Sequence, residues 1–384
     1  MPTNSLRLTL LTLGLSSLAV PTLADPISVL FVGNSFTHGR YDPVRTYNSG
    51  YGTGTGNVHD QNCLTAATCS AAEAVVSPAP TQGVNESGPF GGIPGIFLTL
   101  AHEAGINVDV SINAVSAATL TGTANSLSRV AAITVNPLTG KPFDTVVLQE
   151  QSFTPLPAVN NLGNATRGNY ASFVSGANRL VSAIDAADVT AGRSKTNVYL
   201  YETQPLASYT YTSPQIQGSS TGGINQPYVG DPIESMASDL HNAYSGVAAQ
   251  NANITGVAYG GDAWIRAIQA GVAERNPYVS NSATQIDLWD SDVNAACCTT
   301  PIGYHPSMYG AYLNALTLFN TLTGYDPNRF GGDEQAAAAL GISPDIAVRL
   351  EAAAVPEPAS LSLLGMGVAA MGALTRTRRQ PARR

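Results

Sequence analysis

Short apolar runs rich in β-branched residues alternate along this chain with segments of helical period, and that alternation leaves few architectures open. The first run covers residues 27–32 and is closed by Gly33; similar runs cover 106–112, 143–148, 197–201 and 254–258. Short runs of this kind read as buried parallel strands. Between them, residues 93–104, 170–187, 232–249 and 263–272 carry apolar side chains at helical spacing. Residues 307–322 close the series with Tyr309, Tyr312, Leu316 and Phe319 on one face. Strands alternating with helices predict a mainly parallel sheet covered on both sides. Residues 333–354 are Ala-rich and helix-prone. Two polar stretches, 40–90 and 276–304, are too long for connectors in a compact domain and read as functional insertions.

The two ends are addresses rather than fold. Residues 1–24 hold Arg7, an apolar run and Thr22-Leu23-Ala24 before Asp25, the pattern of a cleavable signal peptide. At the other end, Val355-Pro356-Glu357-Pro358 precedes an apolar stretch over 359–375 and five trailing arginines. The stretch is near the lower limit for a transient membrane anchor, and the arginines favour the cytoplasmic side. Residues 355–384 resemble the PEP-CTERM sorting signal of Gram-negative bacteria. The resemblance implies processing by an exosortase and a body that ends in the periplasm, on the outer surface or in the extracellular matrix. Charge agrees with export. Charged residues make up 11% of the chain, well below the usual share of roughly 25% for soluble domains. Residues 25–355 hold 12 basic and 25 acidic side chains, a balance of −13 that would repel phosphate backbones and disfavours nucleic-acid partners.

In an open α/β sheet, ligands sit beyond the carboxyl ends of the strands. The first strand runs into Gly33-Asn34-Ser35-Phe36-Thr37, which leaves Ser35 where a helix would begin. Ser is a favoured helix N-cap, but a serine beside a base is a nucleophile. The best base is His305, in Gly303-Tyr304-His305-Pro306-Ser307 before the last core helix. His38 and His59 lie near or within the first insertion, while His102 and His241 lie in amphipathic helices and read as surface or structural. Glu150 and Glu202, at strand ends, also read as structural.

The order of blocks resembles the SGNH/GDSL-type esterases and hydrolases, in the branch where GNS replaces GDS. The blocks are Val29 to Thr37, Ile112 to Thr119, Asp144 to Ser152, Gly261-Asp262-Ala263-Trp264, and His305-Pro306-Ser307 with Gly310 to Leu313. The resemblance runs from about residue 27 to 323. It implies a three-layer α/β/α domain over 25–354 with a central, mainly parallel five-stranded sheet of flavodoxin-like topology. It further implies Ser35 as nucleophile, His305 as base, and an oxyanion held by the N–H groups of Ser35 and Ala117 and a side-chain amide of Gln149 or Gln151. Ala117 stands where the family often has Gly, and Ile302 stands where it has the Asp that orients the base. Asp290 or Asp292 is the candidate replacement.

Cys63, Cys69, Cys297 and Cys298 all fall in the two insertions, and an even count in an exported chain favours disulfides. Cross-links between the insertions are the expectation. The sequence has no zinc spacing, EF-hand loop, phosphate loop or dinucleotide fingerprint, so no cofactor or metal is implied. The resemblance points to an exported serine esterase acting on an ester or acylated carbohydrate, with the O-acyl groups of a polysaccharide as a candidate substrate. The alternative is a catalytically silent matrix-binding protein of the same fold.

Overall fold

The computed structural model describes residues 25–51, 56–65, 69, 88–212, 226–279, 284–290 and 303–356. The chain opens with β1 (Ile27–Gly33), followed by the one-turn helix α1 (Ser35–His38), two short strands β2 (Ser49–Gly50) and β3 (Val58–Asp60), and α2 (Gly92–Glu103). Next come β4 (Val108–Ala114), α3 (Leu120–Asn125), α4 (Leu127–Thr134), β5 (Thr145–Gln149) and α5 (Tyr170–Ala191). After them lie β6 (Asn197–Glu202), the short α6 (Ala207–Thr210), α7 (Ile233–Gln250), β7 (Gly256–Tyr259) and α8 (Gly260–Gln269). Helices α9 (Met308–Thr323), α10 (Gln335–Leu340) and α11 (Pro344–Ala354) complete the body.

Among the described residues the strands form one sheet in the order β2-β3-β4-β1-β5-β6-β7, every neighbouring pair parallel. The five long strands keep the flavodoxin-like order. The sheet has seven strands rather than the five expected, because the first insertion adds β2 and β3 at one edge. His59 anchors that edge, its Nε2 lying 2.8 Å from Asp109 Oδ1 on β4.

Side chains of each strand alternate between two cores, as a pleated sheet covered on both faces requires. Val29, Phe31, Val147 and Tyr201 face a layer built from α2, α8, α9, α10 and α11. Leu30, Val32, Val146, Leu148, Val198 and Leu200 face α3, α4, α5 and α7. Phe31 sits at the centre of the first layer, edge-on to Phe97 at 5.3 Å, and Phe97 in turn meets Phe319 at 6.0 Å. The long α5 begins at Asn169, whose side chain accepts the Ser172 N–H, and ends at Gly192 in the left-handed conformation.

The expected cross-links between insertions are not what Cys63 makes. It is bonded to Cys69, with Cα atoms 4.3 Å apart. Two turns account for this: the Cys63 N–H donates to the Asp60 carbonyl at 3.0 Å, and the Cys69 N–H donates to Thr65 at 2.9 Å. The chain therefore returns on itself within six residues, and local closure costs less chain entropy than a long-range bridge. Cys297 and Cys298 lie outside the described residues, as do residues 1–24 and the apolar stretch 359–375.

Candidate active site

The turn after β1 is drawn tight by close approach. A Cβ on Gly33 would collide with Thr37 Oγ1 and Gln149 Oε1, so no side chain fits there. Asn34, not Ser35, caps α1: its Oδ1 accepts the Phe36 N–H at 3.1 Å. Its Nδ2 donates to the Ala118 carbonyl at 3.0 Å, tying the turn to the loop that follows β4. Ser35 is thus the first helical residue, and its hydroxyl is not taken up by capping. Its Oγ lies 2.9 Å from Nε2 of His305, a residue 270 positions away.

His305 is held on an extended segment that runs antiparallel to residues 288–290. The Asp290 N–H donates to the His305 carbonyl, and the Ser307 N–H donates to the Leu288 carbonyl, each at 2.8 Å. Ser307 then caps α9 by accepting the Gly310 N–H at 3.3 Å. The imidazole is 4% exposed and stacks on Phe36 with centroids 5.2 Å apart. Tyr304 packs edge-on at 5.0 Å and Tyr41 at 6.3 Å. The ladder sets Asp290 directly opposite His305, while Asp292 falls outside the described residues.

Ala117 has φ of 60°, the left-handed region in which Gly is at home and an L-residue is strained by roughly 1–2 kcal/mol. Strain of this kind persists only where surrounding contacts impose it. The Asn34 bond to Ala118 is one such contact. A second is Ser116, whose Oγ lies 3.1 Å from His38 Nε2, the His38 ring being stacked on Phe90 at 4.1 Å. Among the described residues, no group accepts a hydrogen bond from the N–H of Ser35 or of Ala117.

The two glutamines have other work. Gln149 Oε1 accepts the Asn34 N–H at 3.0 Å and the Thr37 hydroxyl at 2.8 Å, while its Nε2 donates to the Glu150 carbonyl. It is a strut beneath the turn that carries Ser35 rather than a donor aimed over it, because its stem folds the amide back onto that turn. Gln151 Nε2 donates to Ser152 Oγ at 3.1 Å and to the Tyr304 hydroxyl at 3.3 Å. Glu150, fully buried, accepts the Gln151 N–H at 2.6 Å and the Leu120 N–H at 3.2 Å. Desolvation pushes its carboxyl up to about 7 despite those bonds. It ties the loop after β4 to the end of β5.

Sequence reading gave no role to the Asn34 side chain, Tyr41, Phe36 or Tyr304, although three of them lie within four residues of the serine or the histidine. Nearness in sequence to the paired residues was the available signal. The opposing contacts of Asn34 depend on folded geometry.

Residues 354–379 match the family model of the PEP-CTERM protein-sorting motif. The motif indicates export in Gram-negative bacteria. No curated protein matches the chain in sequence. Among solved structures, a DUF4886 family protein from Bacteroides uniformis is similar at 14% identity and a TM-score of 0.45, over 86% of this chain and 93% of that one. A candidate SGNH hydrolase from Slackia heliotrinireducens is similar at 17% identity and 0.40, over 78% and 100%. A catalytic mutant of an acetylxylan esterase from Geobacillus stearothermophilus is similar at 13% identity and 0.36, over 78% and 96%. Among the described residues no helix is long and apolar enough to cross a membrane.

Proposed function

We propose that the chain is an exported serine ester hydrolase. The observation that carries this reading is the 2.9 Å contact between Ser35 Oγ and His305 Nε2. In the proposed reaction Ser35 Oγ attacks the ester carbonyl as His305 takes its proton, giving a tetrahedral oxyanion. The oxyanion collapses to an acyl-serine, and the alcohol leaves with the proton returned by His305. Water then attacks the acyl group by the same route in reverse, releasing the acid and restoring the hydroxyl.

The N–H groups of Ser35 and Ala117 are the proposed oxyanion donors; preorganised donors of this kind contribute roughly 3–4 kcal/mol each. Asp290 is the proposed positioning residue for His305. The aromatic walls of Phe36, Tyr41 and Tyr304 form a small apolar surround for an acyl group, and the PEP-CTERM motif favours a substrate met outside the cytoplasm. O-acyl groups on an exported polysaccharide fit both conditions. Processing at the PEP segment and passing retention by residues 359–375 belong to the same proposal.

The test is hydrolysis of a short-chain aryl ester by the purified protein and by Ser35→Ala. The expected result is a fall of about 10³-fold or more in kcat. Equal rates in the two proteins would overturn the assignment of the nucleophile. Absence of activity on aryl esters and acetylated polysaccharides alike would overturn the hydrolase reading itself.

A further inference from the structure

Away from the Ser35–His305 pair, side chains from three elements converge near the carboxyl end of β6. Glu202 is the last residue of β6, His241 lies on α7, and Asp262 lies in the first turn of α8. His241 Nδ1 is 2.9 Å from Asp262 Oδ2, and these atoms and a Glu202 oxygen all lie within 4.8 Å of one another. Glu202 is fully buried, and neither of its carboxylate oxygens has a hydrogen-bond partner among the described residues. The N–H groups of Gly261 and Asp262 and the charge of Arg266 lie near enough to favour its ionised form, against the larger cost of burial. A buried carboxylate without a partner is among the least favourable groups a fold can hold. His241 and Asp262 are partly open to solvent, at 41% and 32% side-chain exposure, so the cluster has a wet side. Tyr259 stacks on the His241 ring at 4.6 Å and fixes its plane. Gly261 admits the carboxylate closely: a Cβ there would stand 3.2 Å from Glu202 Oε1 and 2.8 Å from the Thr203 carbonyl.

We infer that Glu202, His241 and Asp262 form a binding site for one divalent transition-metal cation. Metal–ligand distances near 2.0–2.2 Å place neighbouring donor atoms about 3–3.5 Å apart. The His241–Asp262 pair, at 2.9 Å, is just inside that spacing, and a Glu202 oxygen lies within 4.8 Å of both residues' ligand atoms. Two carboxylates balance a divalent charge, and the imidazole selects a zinc-like ion over calcium or magnesium, which prefer all-oxygen sets. Water from the open side completes the coordination. The ion would add positive charge to the partial compensation that Arg266 gives Glu202. Through Gln204, two residues on, the same strand end reaches the Tyr304 carbonyl at 3.4 Å, next to His305. The site would therefore brace the base loop from behind, and its existence does not depend on the esterase reading.

The test titrates zinc into the chelator-treated full chain by calorimetry, with thermal unfolding as a second readout. One zinc per chain is expected, with a higher Tm on binding. Affinity should fall about tenfold or more in Glu202→Gln and in His241→Ala, and stay unchanged in His102→Ala and Ser35→Ala. If His241→Ala does not fold, Asp262→Asn takes its place. No zinc binding up to about 100 µM, or binding undiminished in Glu202→Gln and the second variant, would overturn the site. The cluster would then be an ion pair beside a protonated carboxyl.

Discussion

Asn34→Asp turns the GNS of this chain into GDS and exchanges a single NH₂ for an oxygen. One side of the residue keeps its contact: an oxygen still accepts the Phe36 N–H, 3.1 Å away, and a carboxylate at a helix start strengthens that bond by about 0.5–1 kcal/mol. The other side reverses. Nδ2 donates to the Ala118 carbonyl over 3.0 Å, and its replacement sets two acceptors against each other at a position only 1% exposed. A buried acceptor deprived of its donor costs about 1–3 kcal/mol. The loss outweighs the gain, leaving a net penalty of about 1–2 kcal/mol and a Tm lower by about 2–4 °C. Ala118 follows Ala117, so the displaced loop should also slow ester hydrolysis by about tenfold, the equivalent of 1.4 kcal/mol. Protonation of the new carboxyl restores a donor, and burial raises the pH at which this happens. The deficit should therefore be larger at pH 8 than at pH 5. Thermal unfolding followed by circular dichroism at both pH values, with aryl-ester kinetics at pH 8, is the assay. A variant as stable as wild type at pH 8, or a deficit that grows on acidification, would refute the reasoning.

Other outcomes follow from the same surroundings. Glu150 has a folded-state pKa of about 7 against an ordinary 4.5. Its contribution is therefore complete below about pH 4.5 and is lost as pH rises through 7, a change of up to about 3 kcal/mol. Glu150→Gln should remove that slope, so that urea unfolding finds it gaining on wild type between pH 5 and pH 8; parallel pH profiles would count against a buried, desolvated carboxyl. Ala117→Gly relieves the left-handed strain of about 1 kcal/mol but adds a similar entropy to the unfolded chain. Its Tm should stay within about 2 °C of wild type and its hydrolysis rate should be preserved, because the proposed donor is backbone. A tenfold loss of rate would show that the methyl group, not the N–H, matters there.

The five long strands were legible because each is a run rich in apolar, β-branched or aromatic residues, and the helices because their spacing is regular. Strands β2 and β3 were not: Ser49–Gly50 and Val58–Asp60 are only two and three residues long and mostly polar, and β3 pairs because β4 offers an edge. The serine and histidine stood out by their places at strand and helix ends, while their 2.9 Å approach is a property of the fold alone. Gln149 misled because an amide near a strand end reads equally as a donor to substrate or as a strut; the nearness of Gly33 and Thr37 decides between them. Cys63 misled for a different reason: the turns that end at it and at Cys69 have no clear signature in the residues. Glu202, His241 and Asp262 lie too far apart in sequence for any spacing rule to join them.

The hydroxyl and the imidazole come from opposite ends of the body. A ribosome delivers the serine early and the histidine only when the last core helix is nearly complete. A prematurely terminated or still-emerging chain therefore carries only the serine half of the pair, and the contact between the two side chains waits on the order of synthesis.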